Sequence, residues 1–302
     1  MIIDVHTHLT ARALHIQLQR PDTLPFPSLA YGSMDLVNSL SNLEYMDQVG
    51  IDQCVLLPLP VPPGMLVPPT MTLESVLQVA SVHPDRFIPF GTFDPRRPGP
   101  SYARQIEALV DMGCRGFGEW KPNPPGDSLR VDDPRAQEIY GLCGEHRLPI
   151  LLHMDSHLNR DIDGFERMVA AFPDTIFIAH GPTWWAEISS SVPEGVDYPT
   201  GPIEGPGRVD RMLDRYPNLY ADISAGSGLR ALTRDPEFTK GFFHRHWDRL
   251  MLGTDYPGRN GASGQALGMD RMHLDLVREQ GLPRDKEEAV LSGNLLKVLR
   301  PA

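Results

Sequence analysis

Cysteine is scarce in this 302-residue chain. Cys54, Cys114 and Cys143 are odd in number, widely separated and in no Cys-x-x-Cys pair, so a disulfide framework is not expected. They read as buried free thiols of a reducing compartment. No apolar run reaches membrane-spanning length, so no membrane partner is expected. The opening residues lack a basic segment followed by an apolar core, and Asp4 and His6 interrupt the first strand. A signal peptide is therefore not expected, and the cytoplasm is the expected location. Positive charge is also short: 28 Lys and Arg face 39 Asp and Glu, a formal charge of −11. Such a surface repels phosphate backbones and argues against a nucleic-acid partner. No coiled coil or interface stripe stands out, and homo-oligomerisation stays open.

What is present is alternation. Short apolar, β-branched runs occur at Ile2–His6, Ile51–Leu57, Arg86–Phe93, Cys114–Trp120, Pro149–His153, Thr175–His180, Asn218–Ser224 and Arg249–Asp255. Helix-like segments separate them, at Asp35–Val49, Thr72–Val82, Tyr102–Met112, Pro134–His146, Phe165–Phe172, Arg208–Tyr216 and Pro236–Trp247. Arg284–Leu299 closes the chain as a last helix. In Tyr102–Met112 the residues Ile106, Leu109 and Val110 share one stripe. About eight strands in strict β/α order predict a (β/α)8 TIM barrel, one domain over residues 1–302. A doubly wound sheet would more often carry a Gly-rich phosphate turn after its first strand, and none is present. Residues 9–33, 58–69 and 181–207 are rich in Pro or Gly and follow strands. They are expected as long loops over the C-terminal face of the barrel, where active sites lie.

The first strand runs into His6-Thr7-His8. Alternation puts both histidines on one face, roughly 6.5 Å apart along the strand, close enough to converge on one ion. Alone the pair is an even choice between a site and two ordinary strand residues. Four later strands end similarly: the fourth carries Glu119, the fifth ends at His153, the sixth at His180 and the eighth at Asp255. Burying six such groups without partners would cost a few kcal/mol each. Four histidines and two carboxylates at one barrel face satisfy one another through a divalent metal, with zinc the first choice and manganese, iron or nickel also suited.

His6-Thr7-His8, His153, His180 and Gly-Thr-Asp255-Tyr-Pro, in this order, resemble the amidohydrolase superfamily. The nearest branch is the amidohydrolase-related family that includes aminocarboxymuconate-semialdehyde decarboxylase-like enzymes. The closing Leu291-Ser292-Gly293-Asn294-Leu295-Leu296 is similar to that branch's C-terminal Gly-Asn helix. The resemblance implies a barrel holding one or two metals, with ligand roles for His6, His8, His153 and Asp255. It makes His180 a second-metal ligand or a base. Glu119 stands where TatD-like hydrolases carry a ligand Glu that can bridge two metals.

It also implies chemistry. In the leading expectation, a hydrolase, metal-activated water attacks an ester, lactone or amide of a small organic molecule. Asp255 then moves the proton and His180 stabilises charge on the substrate. The alternative is a non-oxidative decarboxylase of an aromatic or unsaturated acid, with His180 and Asp255 handling protons.

Lower-ranked candidates surround this set. Lys121 is a candidate substrate contact, with a Glu119–Lys121 ion pair at the rim as the alternative. Trp184 and Trp185 are candidates for a substrate wall, with packing under the long loop as the alternative. Asp4 and Asp222, on the face of the ligand residues, either orient a ligand histidine or are simply buried and hydrogen-bonded. Asp155 and His157 either line the pocket or lie in a solvated loop. His83, His146, His244, His246 and His273 fall in helical regions and read as structural.

Overall fold

The computed structural model describes residues 1–10, 40–60, 71–121, 129–155, 161–193, 195–258 and 265–301. Among the described residues eight strands occur, each on an expected run, with β1 reaching one residue beyond it: β1 Ile3–Thr7, β2 Gln53–Leu56, β3 Phe87–Pro89, β4 Phe117–Trp120, β5 Ile150–His153, β6 Phe177–His180, β7 Leu219–Asp222 and β8 Leu250–Met251. Every pairing is parallel, in a three-stranded sheet β1-β2-β3 and a five-stranded sheet β4-β5-β6-β7-β8. Isolated parallel bridges, Gly91 with Phe117 and Thr7 with Tyr256, join the two sheets at both seams. Backbone bonds from Gly118 N to Gly91 O (2.8 Å) and from Val5 N to Leu252 O (2.9 Å) reinforce those seams. The fold is a (β/α)8 TIM barrel with two irregular seams.

The helices between the strands are α1 Asn42–Val49, α2 Leu73–Val82, α3 Tyr102–Asp111, α4 Pro134–His146, α5 Ile162–Ala171, α6 Pro182–Ala186, α7 Arg208–Arg215, α8 Ala225–Thr233 and α9 Pro236–His246. After β8 come α10 Met272–Glu279, α11 Arg284–Glu288 and α12 Asn294–Val298. Local chemistry sets their starts. Ser41 and Glu44 form a reciprocal capping box at α1, and Pro follows an Asp cap at α4 and α9. On α3 the predicted stripe buries Ile106 and Leu109, while Val110 is half-buried. The expected closing helix is interrupted by a π-helical turn at Ala289–Gly293. Asn294 of the Gly-Asn pair donates to Trp247 O (2.7 Å) and Leu250 O (2.8 Å), tying this segment to the start of β8.

Two apolar layers follow from strand alternation. One set of side chains, including Leu56, Leu152, Phe177 and Leu219, packs outward against the helices. The other, including Val55, Ile88, Leu151, Ile178, Tyr220 and Met251, fills the barrel, with Leu295 and Leu299 beneath it. Leu151 and Ile178 lie two residues before His153 and His180, so the filled interior is the floor of the polar ring. Of the expected loops, residues 11–33 and 61–69 lie outside the described residues. The stretch after β6 begins with α6 rather than as irregular loop. The three cysteines are buried and free.

Candidate metal centre

Five strand ends bring the six-residue ring together. His6 comes from β1 and His8 follows it, Glu119 comes from β4, His153 from β5 and His180 from β6, and Asp255 follows β8. His153 and His180 are register partners across β5 and β6, with ring centroids 5.0 Å apart. His6 and His180 rings stand 4.3 Å apart. The four histidines and Glu119 are buried, and the Asp255 side chain is 17% exposed, so the ring opens at Asp255.

The tautomers follow from the partners. His8 Nδ1 lies 2.9 Å from Leu57 O, and a carbonyl can only accept, so the proton sits on Nδ1. His6 Nδ1 donates to Asp222 Oδ2 at 3.0 Å. Ser224 Oγ donates to Asp222 Oδ1 and so accepts from His180 Nδ1 at 2.8 Å. Each of these three rings therefore turns an Nε2 lone pair into the centre. His6 Nε2 and His8 Nε2 are buried without a hydrogen-bond partner among the described residues. An orphaned buried acceptor is costly unless something completes it.

The spacing indicates what completes it. Asp255 Oδ1 stands 3.6 Å from His6 Nε2 and 3.5 Å from His8 Nε2, and Glu119 Oε2 stands 3.6 Å from His8 Nε2. These separations are too long for hydrogen bonds. Ligands about 2.1 Å from an ion at the tetrahedral angle stand about 3.4 Å apart, which matches. The donor set fits a divalent cation held by His6, His8, Glu119 and Asp255. A second group meets on the other oxygen of Glu119: Oε1 lies 2.7 Å from His153 Nδ1 and 3.8 Å from His180 Nε2. One carboxylate thus faces two donor groups. His153 is placed differently from the other rings, since its Nε2 meets Asp155 Oδ2 at 3.0 Å. Its two nitrogens lie between two carboxylates.

The carboxylates are poised as anions. Burial raises the pKa of each, but neighbouring histidines outweigh it. His180 and His6 hold Asp222 far below the usual range, His153 and Lys121 hold Glu119 well below it, and His8 and His6 hold Asp255 low. For His6, burial and His180 push the pKa down, yet Asp222 and Asp255 prevail and the net shift is upward. A cation at Nε2 would replace that proton.

Other expectations resolve in several ways. Asp4 does not share the face of the ring. A register irregularity between Asp4 and Thr7 resets the alternation, and the Asp4 carboxylate accepts from Tyr45 of α1 (2.8 Å), from Thr254 N (3.0 Å) and from His6 N (3.1 Å). It braces the backbone on either side of the ring rather than a histidine ring. Asp222 orients both His6 and His180. Asp155 reaches His153, while His157 lies outside the described residues. Lys121 makes no ion pair among the described residues, so the rim pair with Glu119 is not formed, although its charge helps hold Glu119 low.

Trp184 and Trp185 are fully buried, because α6 turns them into the core against Phe165 and Phe242. Trp185 Nε1 donates to Asp222 O at 3.1 Å. Ser224, Thr254 and Tyr45 were not anticipated. Ser224, two residues past Asp222, carried the only local signal. His244, His246 and His273 bond to Gln280 O, Asp210 and Ala225 O, as expected of structural residues.

Comparison with known proteins follows this geometry. A family model described as Amidohydrolase matches residues 3–300. No curated protein matches the chain by sequence. Among solved structures, 5-carboxyvanillate decarboxylase LigW from Sphingomonas paucimobilis is 18% identical, with a TM-score of 0.59 over 100% of this chain and 99% of that one. A 5-carboxyvanillate decarboxylase from Novosphingobium aromaticivorans, solved with bound manganese, is 15% identical, with a TM-score of 0.60 over 98% and 96%. A 2,6-dihydroxybenzoate decarboxylase from Rhizobium is 16% identical, with a TM-score of 0.58 over 98% of each chain.

Proposed function

The chain belongs to the amidohydrolase family, and from that premise we propose that it is a divalent-metal-dependent decarboxylase of a small aromatic or unsaturated carboxylic acid. The observation that carries the metal requirement is the pair of orphaned nitrogens, His6 Nε2 and His8 Nε2, facing Asp255 Oδ1 at 3.6 and 3.5 Å. Likeness over the full chain to enzymes named as carboxyvanillate and dihydroxybenzoate decarboxylases favours carbon dioxide release over the hydrolysis that motif order alone put first.

A bound divalent cation supplies charge that orients the substrate's oxygens and stabilises the electrons left when the carboxylate departs. In the reaction the bond from carbon to carboxylate breaks, carbon dioxide leaves, and a proton takes its place on carbon. His180 is suited to carry that proton at Nε2, because Ser224 and Asp222 fix its Nδ1. Asp255 is suited to exchange protons with solvent, being the ring member that is 17% exposed. Lys121, with no ion pair among the described residues, is a cation for a substrate carboxylate near Glu119. Zinc and manganese both suit the nitrogen and oxygen donors.

Hydrolysis is the second reading, favoured by Glu119 alone. Its two oxygens face separate donor groups, as a bridge between two ions would. The test is carbon dioxide release from a panel of hydroxybenzoates and muconate-like acids, with metal counted per chain. Release that chelator abolishes supports the decarboxylase. Two metals with ester or lactone cleavage and no carbon dioxide would replace it with the hydrolase.

A further inference from the structure

The far end of the barrel holds a cavity of about 460 Å³, a size typical of small-molecule sites. It lies where strands begin: Pro149 precedes β5, Ile176 precedes β6 and Arg249 precedes β8. Three cations line it, Arg147, Arg249 and Lys297, against one acid, Asp174. In a chain with a charge of −11, such convergence runs against the composition. Among the described residues, Arg147 and Lys297 make no ion pair. Arg249 gives Nη1 to Asp248 at 2.7 Å, while its Nε is buried without a hydrogen-bond partner. Its guanidinium lies over the Tyr220 ring, 5.5 Å from the centroid, which fixes the fork in place.

Arg147 adds a second, independent sign. It ends α4 with φ of 55°, in the left-handed region where Gly is the usual residue. A side chain is kept there despite its steric cost, and it is a cation at the cavity rim. The remaining wall is apolar, from Leu148, Ile176, Val298 and Leu299.

We propose that this cavity binds a small organic carboxylate with an apolar body, at a site separate from the His6–His8 centre. A neutral ligand would leave Arg147 and Lys297 without a counter-charge. A bare inorganic anion would leave the apolar wall uncovered. The assignment does not rest on the chemistry at the other end of the barrel.

4-Bromobenzoate is the probe. Soaked into crystals of the intact protein, it should give a bromine anomalous peak between Arg249 and Lys297, distinct from any peak at the histidine ring. Calorimetry should show weaker binding for benzyl alcohol and for phosphate. Arg249→Gln and Arg147→Gly should each weaken 4-bromobenzoate binding in this cavity at least tenfold. Arg147→Gly should not lower the unfolding temperature, because glycine relieves the left-handed backbone, so its loss of binding is not a loss of fold. No bromine in the cavity, or unchanged binding in both variants, would overturn the site. Equal binding of phosphate would overturn the apolar body, and equal binding of benzyl alcohol the carboxylate.

Discussion

Two clusters in this protein, each built on buried histidine and carboxylate, differ in what the carboxylate and the ring nitrogens meet. At the outer side of the barrel, Asp210 of α7 meets His246 of α9 (2.5 Å) and takes both oxygens' bonds from Arg245 (2.8 and 2.7 Å). Asp214 stands 3.7 Å from the other ring nitrogen. By composition Asp210, Asp214 and His246 would pass as metal ligands. Yet the carboxylate is saturated by protein donors, with one donor an arginine that no metal site would tolerate so near. In the central ring, carboxylates and backbone take only the Nδ1 side of His6 and His8, and both Nε2 atoms are left facing inward. Residue type does not separate a structural cluster from a functional one. The unmet half of each histidine does.

The largest effect should come from His8→Gln. It should empty the centre of metal and lower activity more than roughly 100-fold, beyond the loss typical of residues that only orient ligands. Unchanged metal content by elemental analysis would break the contrast. Asp210→Ala should do the reverse. It strands buried His246 and should cost about 1–3 kcal/mol in denaturant unfolding, with metal content unchanged. Asp222→Asn falls between. One amide cannot accept from both His6 and His180, so one ring changes tautomer, and activity should drop about 10–100-fold with weakened metal affinity. Equal activity would mean that Ser224 suffices to hold the rings.

The smallest effect tests the brace beside the centre. Burial raises the Asp4 pKa to about 6 from 3.8, against lowering bonds from Thr254, His6 and Tyr45. A raised folded pKa contributes stability below the unfolded value, and that contribution is lost as pH rises from 3.8 through 6. Above pH 6 the carboxylate is charged and depends on its donors. Tyr45→Phe should therefore cost about 1–2 kcal/mol at pH 7.5 and less at pH 4.5. The same cost at both values would show that Asp4 does not titrate there. Asp210 moves oppositely: its lowered pKa gives stability that is lost only as pH falls below 3.8.

Much of this protein is determined by local sequence. Eight apolar runs, each too short for a helix and separated by amphipathic segments, call for a parallel sheet covered by helices, and the lack of a Gly-rich turn after the first strand favours the barrel over a doubly wound sheet. The polar residues at the ends of the first, fourth, fifth, sixth and eighth runs had to emerge at one face, since every strand of such a barrel points the same way. That much brings His6, His8, Glu119, His153, His180 and Asp255 to one face from sequence alone. Tertiary structure decided what each one's other side touches. The break in register at Asp4 turned a residue of ligand parity toward α1. The turn at α6 sent Trp184 and Trp185 into the core. Ser224 and Asp222, more than forty positions from His180 and more than two hundred from His6, chose the tautomers. Strand order and face follow from spacing along the chain. Hydrogen-bond partners and orphaned nitrogens depend on distances across it, which no local pattern encodes.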